Sequence, residues 1–316
     1  MAEILRPMST GELMDRTLVL YRRNFKLFVG IASLGPATYL VFQLLTVSST
    51  SVRAGSADRV NPFSAASLGF GVLAGFLIML AGMAMAHAAT VKAVAAVHLG
   101  LPIKIVEAYK ALKGRIWRVL GVFFCMGLLA MLAALVAGLF IVVVSITLSA
   151  LGITSTSRSP AGTMSAMLVG FATVLIVGLS AMIVWVRYAL AIACCVVEDV
   201  GVVTSLKRSA SLSKGSRFRV FIIYIVFVIL AAVAGAALGG LAGAAGALIP
   251  NIPARLILVY IAGFIAGALT GPLATIGIAL VYYDERVRKE AFDLQLMMAS
   301  LDSPAPPAAA AAPVQP

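Results

Sequence analysis

The sequence predicts an all-α, polytopic membrane protein with six transmembrane helices, and three observations predict it. Hydrophobic residues make up 62% of the chain and charged residues 11%, against roughly 25% charged in soluble domains. Six apolar runs are long enough to cross about 30 Å of hydrocarbon. Lysine and arginine are unevenly placed about those runs: 20 fall on one set of alternating segments and 4 on the other.

That asymmetry places both termini in the cytoplasm of a multi-pass protein of the cell (inner) membrane. Six spans satisfy the even count that a shared side requires. In a soluble chain a net charge of +12 would suggest nucleic acid. Here nearly every cation borders an apolar run, so it serves orientation and anionic lipid headgroups instead. Nucleic acid is not an expected partner. A cleavable leader is not expected either, because 26 largely polar residues precede the first run.

Residues 1–26 open with a capping box, Ser9 as N-cap and Glu12 three positions on. Met14, Leu18, Tyr21, Phe25 and Phe28 then form one stripe, which predicts an interfacial amphipathic helix with its apolar face in the lipid. The first span covers about 27–47, with Gly35-Pro36 predicting a kink. A polar loop leads to the second span, about 66–90, whose helix continues toward His98.

The segment 101–118 is the cleanest predicted amphipath, with Ile105, Tyr109, Leu112 and Ile116 on one stripe among five cations and Glu107. The third span is about 119–147 and the fourth about 164–186. Apolar sequence runs on past Arg187 to Glu198, so that helix is expected to project or break there. The third basic segment, 200–217, breaks the amphipathic pattern with Ser209, Ser213 and Arg217. The fifth and sixth spans are about 220–248 and 256–281. A further interfacial helix is expected at 284–300, with Val287, Ala291, Leu294 and Met298 on its stripe. The Pro/Ala-rich tail, 303–316, is expected to be disordered.

Shifting the chain by 101 residues superposes Lys113-Gly114 on Lys214-Gly215 and Arg118 on Arg219. The N-terminal segment fits loosely, with Phe25 near Trp117. Two explanations stand: a threefold repeat of an interfacial helix plus a two-span hairpin, or three independent juxtamembrane linkers.

Glycine recurs every fourth residue at Gly235, Gly239 and Gly243 and again at Gly263, Gly267 and Gly271. Such smooth faces predict that the fifth and sixth spans pack through them, or that they form a homo-oligomer seam. Cys125, Cys194 and Cys195 lie in or beside apolar runs and show no metal or disulfide spacing.

No catalytic motif appears, and no catalytic, metal or cofactor-binding residue is assigned. The intramembrane ionisable residues are His87, Lys92 and Arg187, all toward the cytoplasmic end. Lys92 and Arg187 can snorkel to headgroups. His87 is expected to hydrogen-bond between helices. Arg187, Glu198, Lys207, Arg208 and Lys214 form the candidate ion-pair cluster or anionic-headgroup pocket, against the simpler reading of charges that only set topology.

Four strings, RPMSTGELMDRTLVLYRRNF, GLPIKIVEAYKAL, RYALAIACCVVEDVGVVTSLKRSASLSKG and YYDERVRKEAFDLQL, resemble a large family of prokaryotic membrane proteins. That family is similar to the membrane domain fused to some glycerophosphoryl diester phosphodiesterases. The resemblance covers about residues 6–296. It singles out Arg187, Glu198, Lys207, Arg208, Ser209, Leu212, Lys214 and Gly215, with Asp284, Arg286, Arg288, Glu290 and Asp293. Cys194-Cys195 departs from the pattern. The phosphodiesterase chemistry belongs to a separate soluble domain that this chain lacks.

The expected function is therefore non-enzymatic: an integral membrane protein whose basic helices bind anionic lipid or a membrane partner protein. A transporter or channel subunit for a small solute or lipid is the alternative, which repeat architecture permits.

Overall fold

The computed structural model describes residues 8–55, 62–98, 100–150 and 160–290, with no strand among them. Eleven helices follow in order. They are α1 (Thr10–Arg23), α2 (Phe25–Ala32), α3 (Leu34–Gly55), α4 (Pro62–His98), α5 (Ile105–Lys110) and α6 (Ile116–Ala150). Then come α7 (Pro160–Tyr188), α8 (Ala191–Val197), α9 (Val202–Leu212), α10 (Arg217–Gly246) and α11 (Ile252–Glu290). Six stretches are long and apolar enough to cross a membrane: Phe25–Val47, Gly69–His98, Ile116–Thr147, Met167–Val197, Arg217–Gly246 and Ile252–Glu290. The chain is a multi-pass, all-helical membrane protein. The predicted tail, Asp293, Arg59, Arg158 and the stripe residues Ala291, Leu294 and Met298 lie outside the described residues.

The capping box forms as its sequence predicts. Glu12 N–H donates to Ser9 Oγ at 3.2 Å, and Ser9 N–H donates to Glu12 Oε2 at 2.6 Å. The buried face of α1 shares only Tyr21 with the predicted stripe, however. Leu13, Thr17 and Tyr21 are buried, whereas Met14 and Leu18 are half-buried and Phe25 is 44% exposed. The helix breaks at Asn24 (φ −121°, ψ 35°), which turns Phe25 off the stripe. α1 thus packs on protein, with Tyr21 Oη donating to the Leu269 carbonyl of α11 at 2.6 Å. Thr17 tolerates burial because its hydroxyl donates to Leu13 O at 2.7 Å. The expected kink at Gly35-Pro36 falls slightly earlier, at Ser33 between α2 and α3. Pro36 occupies the first turn of α3, where its missing N–H costs no helical bond.

The second amphipath is also not one helix. α5 ends at Lys110, and a turn containing Gly114 at φ +86° precedes α6. Glycine enters that left-handed region without a Cβ penalty. Ala108 and Leu112 are buried, whereas Ile105 and Ile116 are over a third exposed. α7 breaks at Ala189–Leu190, resolving the fourth span into α7 and α8. The helix expected at 284–300 is no separate element at its start, because α11 runs unbroken through Glu290.

A shared burial pattern runs through the three basic segments. α2, α6 and α10 begin at Phe25, Ile116 and Arg217. Thr17, Ala108 and Ser209 are fully buried at one position, and Tyr21, Leu112 and Ser213 are buried four residues on. Phe28, Val119 and Val220, then Ile31, Val122 and Ile223, are fully buried within the following helices. Gly114 and Gly215 share positive φ, +86° and +88°. The offset of 101 between the second and third copies holds. The first copy sits 91 residues before the second, so Phe25 corresponds to Ile116 rather than Trp117.

α10 and α11 do pack together, but not through the predicted glycines. A Cβ built at Gly235, Gly239, Gly243, Gly263 or Gly271 meets nothing within 4 Å. One at Gly267 meets Pro36 of α3 at 3.0 Å, and one at Gly277 meets Phe227 of α10 at 2.9 Å. The α10–α11 seam is instead tight at Gly277, nearer the basic end, and at Gly246, where a Cβ would meet Arg255 at 2.7 Å. Gly277→Leu should cost about 1–3 kcal/mol by overpacking, read as a lower melting midpoint in detergent. Gly239→Leu should leave that midpoint unchanged. Equal effects would refute this seam.

Candidate functional site

The basic segments and the ends of α4, α8 and α11 meet at one end of the bundle, around the fully buried Leu190, Cys194, Leu280 and Tyr282. Three carboxylate-centred networks tie this end together. In the first, Asp284 lies with its side chain fully buried. Its Oδ1 accepts Met8 N–H at 2.6 Å, and its Oδ2 accepts Arg288 Nε at 2.8 Å. Arg219 Nη1 also donates to Oδ2, and Arg219 and Arg288 each donate a second nitrogen to the Met8 carbonyl. Neighbouring Glu285, 1% exposed, accepts Lys289 Nζ at 3.1 Å and lies 3.6 Å from Arg219.

The second network joins α8, α9 and α11. Glu198 Oε2 accepts Arg208 Nε at 3.0 Å, and Glu198 Oε1 accepts the Tyr282 hydroxyl at 2.8 Å. Arg208 also pairs with Glu290, which Arg286 reaches at 3.1 Å. The third holds the α6 start to the turn after α8: Arg115 and Arg118 reach Asp199 at 2.8 and 2.9 Å. Asp199 sits there at φ +56°, a conformation aspartate tolerates better than most residues.

Of the five predicted cluster residues, the structure joins Glu198 and Arg208. The Arg187 side chain instead lies over the Tyr188 ring at 5.7 Å. The Arg187 carbonyl accepts the Ser209 and Ser213 hydroxyls, both at 3.2 Å. This explains why serine replaces apolar residues on the third segment's inner face: each hydroxyl is satisfied as it is buried. Lys207 and Lys214 are exposed, and the Lys214 carbonyl accepts Lys289 Nζ at 2.7 Å. Asp284, Arg286, Arg288 and Glu290, singled out by resemblance, all enter the networks. Tyr282, Arg115 and Asp199 were not anticipated. The run DERVRKE carries three i,i+4 opposite-charge pairs that signal the α11 members.

A basic groove lies beside these networks, between α2 and α5. Lys26, Lys104 and Lys110 line about 850 Å³ of open space together with Leu27, Ile105 and Val106. Glu107 lines it too, but its carboxylate accepts the Lys104 N–H at 2.9 Å. Tyr109 Oη fixes α5 on α2 by donating to the Ile31 carbonyl at 2.5 Å. Burial pushes the Tyr109 phenol up from 10.0 to about 12. The folded chain therefore holds this proton where an unfolded chain has lost it. This contribution to α5 docking is complete below pH 10 and is lost as the pH rises towards 12.

Deeper in the bundle, a cavity of about 70 Å³ opens around His87, Phe123, Trp185, Tyr224 and Thr275. His87 Nδ1 and Thr275 Oγ1 are hydrogen-bonded at 2.8 Å across α4 and α11, the interhelical role expected of His87. No family model, curated protein or solved structure matches this chain.

Proposed function

We propose that this protein binds anionic lipid headgroups at the cytoplasmic face of the inner membrane, as a non-enzymatic membrane protein of the type its sequence resembles. The observation that carries the reading is the α2–α5 groove. Its three ammonium groups point to no carboxylate among the contacts described above, whereas the neighbouring arginines are committed to internal pairs. Apolar Leu27, Ile105 and Val106 share the groove, so a phosphate and the first methylenes of a lipid can be accommodated together. Phe25 and Trp117, 44% and 85% exposed, flank the same end and suit the water–hydrocarbon interface.

Each lysine near an anionic surface contributes about 1 kcal/mol. The triple variant Lys26→Gln, Lys104→Gln, Lys110→Gln should therefore lose about a hundredfold in preference for phosphatidylglycerol over phosphatidylcholine. Native mass spectrometry of protein released from mixed nanodiscs reads this directly. An unchanged ratio of retained lipids would overturn the proposal.

A further inference from the structure

The inner cavity has the features of a ligand site, and the headgroup reading makes no use of it. Its lining comes from α4, α6, α7, α8, α10 and α11 and contains no acidic, lysine or arginine side chain. Phe123 and Tyr224 lie at equivalent positions of the second and third copies, each seven residues into its helix. That places the cavity about 10 Å in from the helix starts. The Trp185 and Tyr224 rings pack at a 30° tilt with centroids 3.7 Å apart, and Phe123 stacks on His87 at 6.2 Å.

Three polar groups in this apolar lining have unfilled capacity. The Trp185 indole N–H, the Tyr224 hydroxyl and His87 Nε2 have no hydrogen-bond partner among the described residues. Half-buried groups of this kind can bond the polar head of an occupant. Phe123 also lines a second, apolar groove of about 530 Å³ between α4 and α6, with Leu77, Ile78 and Trp117. Phe123 thus lines both the inner cavity and a groove on the outside of the bundle.

We infer that the cavity binds a neutral, single-chain amphiphile that enters from the bilayer between α4 and α6, past Phe123. Its hydroxyl or carbonyl head bonds to His87, Trp185 and Tyr224, and its chain occupies the apolar remainder and the outer groove. The absence of fixed charge in the lining selects a neutral head over a phosphate. The inference does not depend on the lysine groove.

The chain has two tryptophans, so Trp117→Phe leaves Trp185 as the single reporter in full-length protein reconstituted in vesicles. Titration with a bromine-tagged dodecanol should quench Trp185 saturably, while the bromine-tagged dodecane quenches it only in proportion to its mole fraction. His87→Phe should raise the half-quenching concentration about tenfold, the loss of one buried hydrogen bond. Ala274→Leu, which fills the cavity from α11, should abolish saturation. Proportional quenching of Trp185 by both probes, with no saturation, would overturn the inference. A cavity holding water alone gives that result. The comparison of the two probes decides the matter even if neither cavity variant folds.

Discussion

Arg219→Met should unfold this protein or bring it close to unfolding. The Arg219 guanidinium is the fork that satisfies Asp284 Oδ2 and the Met8 carbonyl together, with Glu285 3.6 Å away. Asp284 and Glu285 have side-chain exposures of 0% and 1%. Methionine matches the stem but leaves each buried carboxylate with one cation instead of two, Arg288 on Asp284 and Lys289 on Glu285. Removing one partner of a buried pair costs about 3–5 kcal/mol, a large part of the 5–15 kcal/mol that a typical domain has. The expected readout is a collapse of the monodisperse peak in size-exclusion chromatography and a melting midpoint well below wild type. Adding Asp284→Asn should recover part of the loss, because it removes a buried charge that Arg288 alone must then balance and keeps an oxygen for Met8 N–H. Arg219→Lys should not rescue, since a single ammonium cannot reproduce the two-nitrogen geometry. A stable Arg219→Met would refute the argument.

This network also shows where sequence reading stopped. The spans were legible because an apolar signal accumulates over about twenty residues, and all six emerged near their expected bounds. Asp284–Arg288, Glu285–Lys289 and Arg286–Glu290 could be found from i,i+4 spacing alone. Arg219–Asp284 spans 65 residues and Arg115–Asp199 spans 84, and no local pattern joins residues so far apart. The amphipathic stripes failed for a different reason. Hydrophobic periodicity gives no inward signal at Thr17, Ser209 and Ser213, because none of the three is apolar. Each is buried because its hydroxyl finds a carbonyl, at Leu13 or at Arg187. The glycine faces failed because a ladder of small residues says that a helix can be approached closely, not what approaches it. The positive φ of Gly114 and Gly215 was equally invisible, yet it sets where α6 and α10 begin.

Arg208→Gln should destabilise the fold, whereas its neighbour Lys207→Gln should not, although both were candidates for the same headgroup pocket. Arg208 bridges Glu198 on α8 to Glu290 on α11. Its side chain is 34% exposed, so screening reduces the loss below that at Arg219. Charge-assisted hydrogen bonds of this kind contribute about 1.5–3 kcal/mol each, and about 2–3 kcal/mol in total is expected after that reduction. Lys207 is exposed, and its neutralisation should stay within about 0.5 kcal/mol. Thermal melts of the two variants in one detergent separate the cases, and equal midpoints would contradict this assignment. The difference follows a wider division of labour. Of the seven cations in the three networks, six are arginines, whereas the three cations of the α2–α5 groove are all lysines. A planar guanidinium can bridge two oxygens in fixed geometry at low hydration cost, and an ammonium on a flexible stem can follow a mobile phosphate. Lys→Arg exchange in the groove should therefore preserve lipid preference, while Arg→Lys exchange at Arg208 should reproduce most of the glutamine defect.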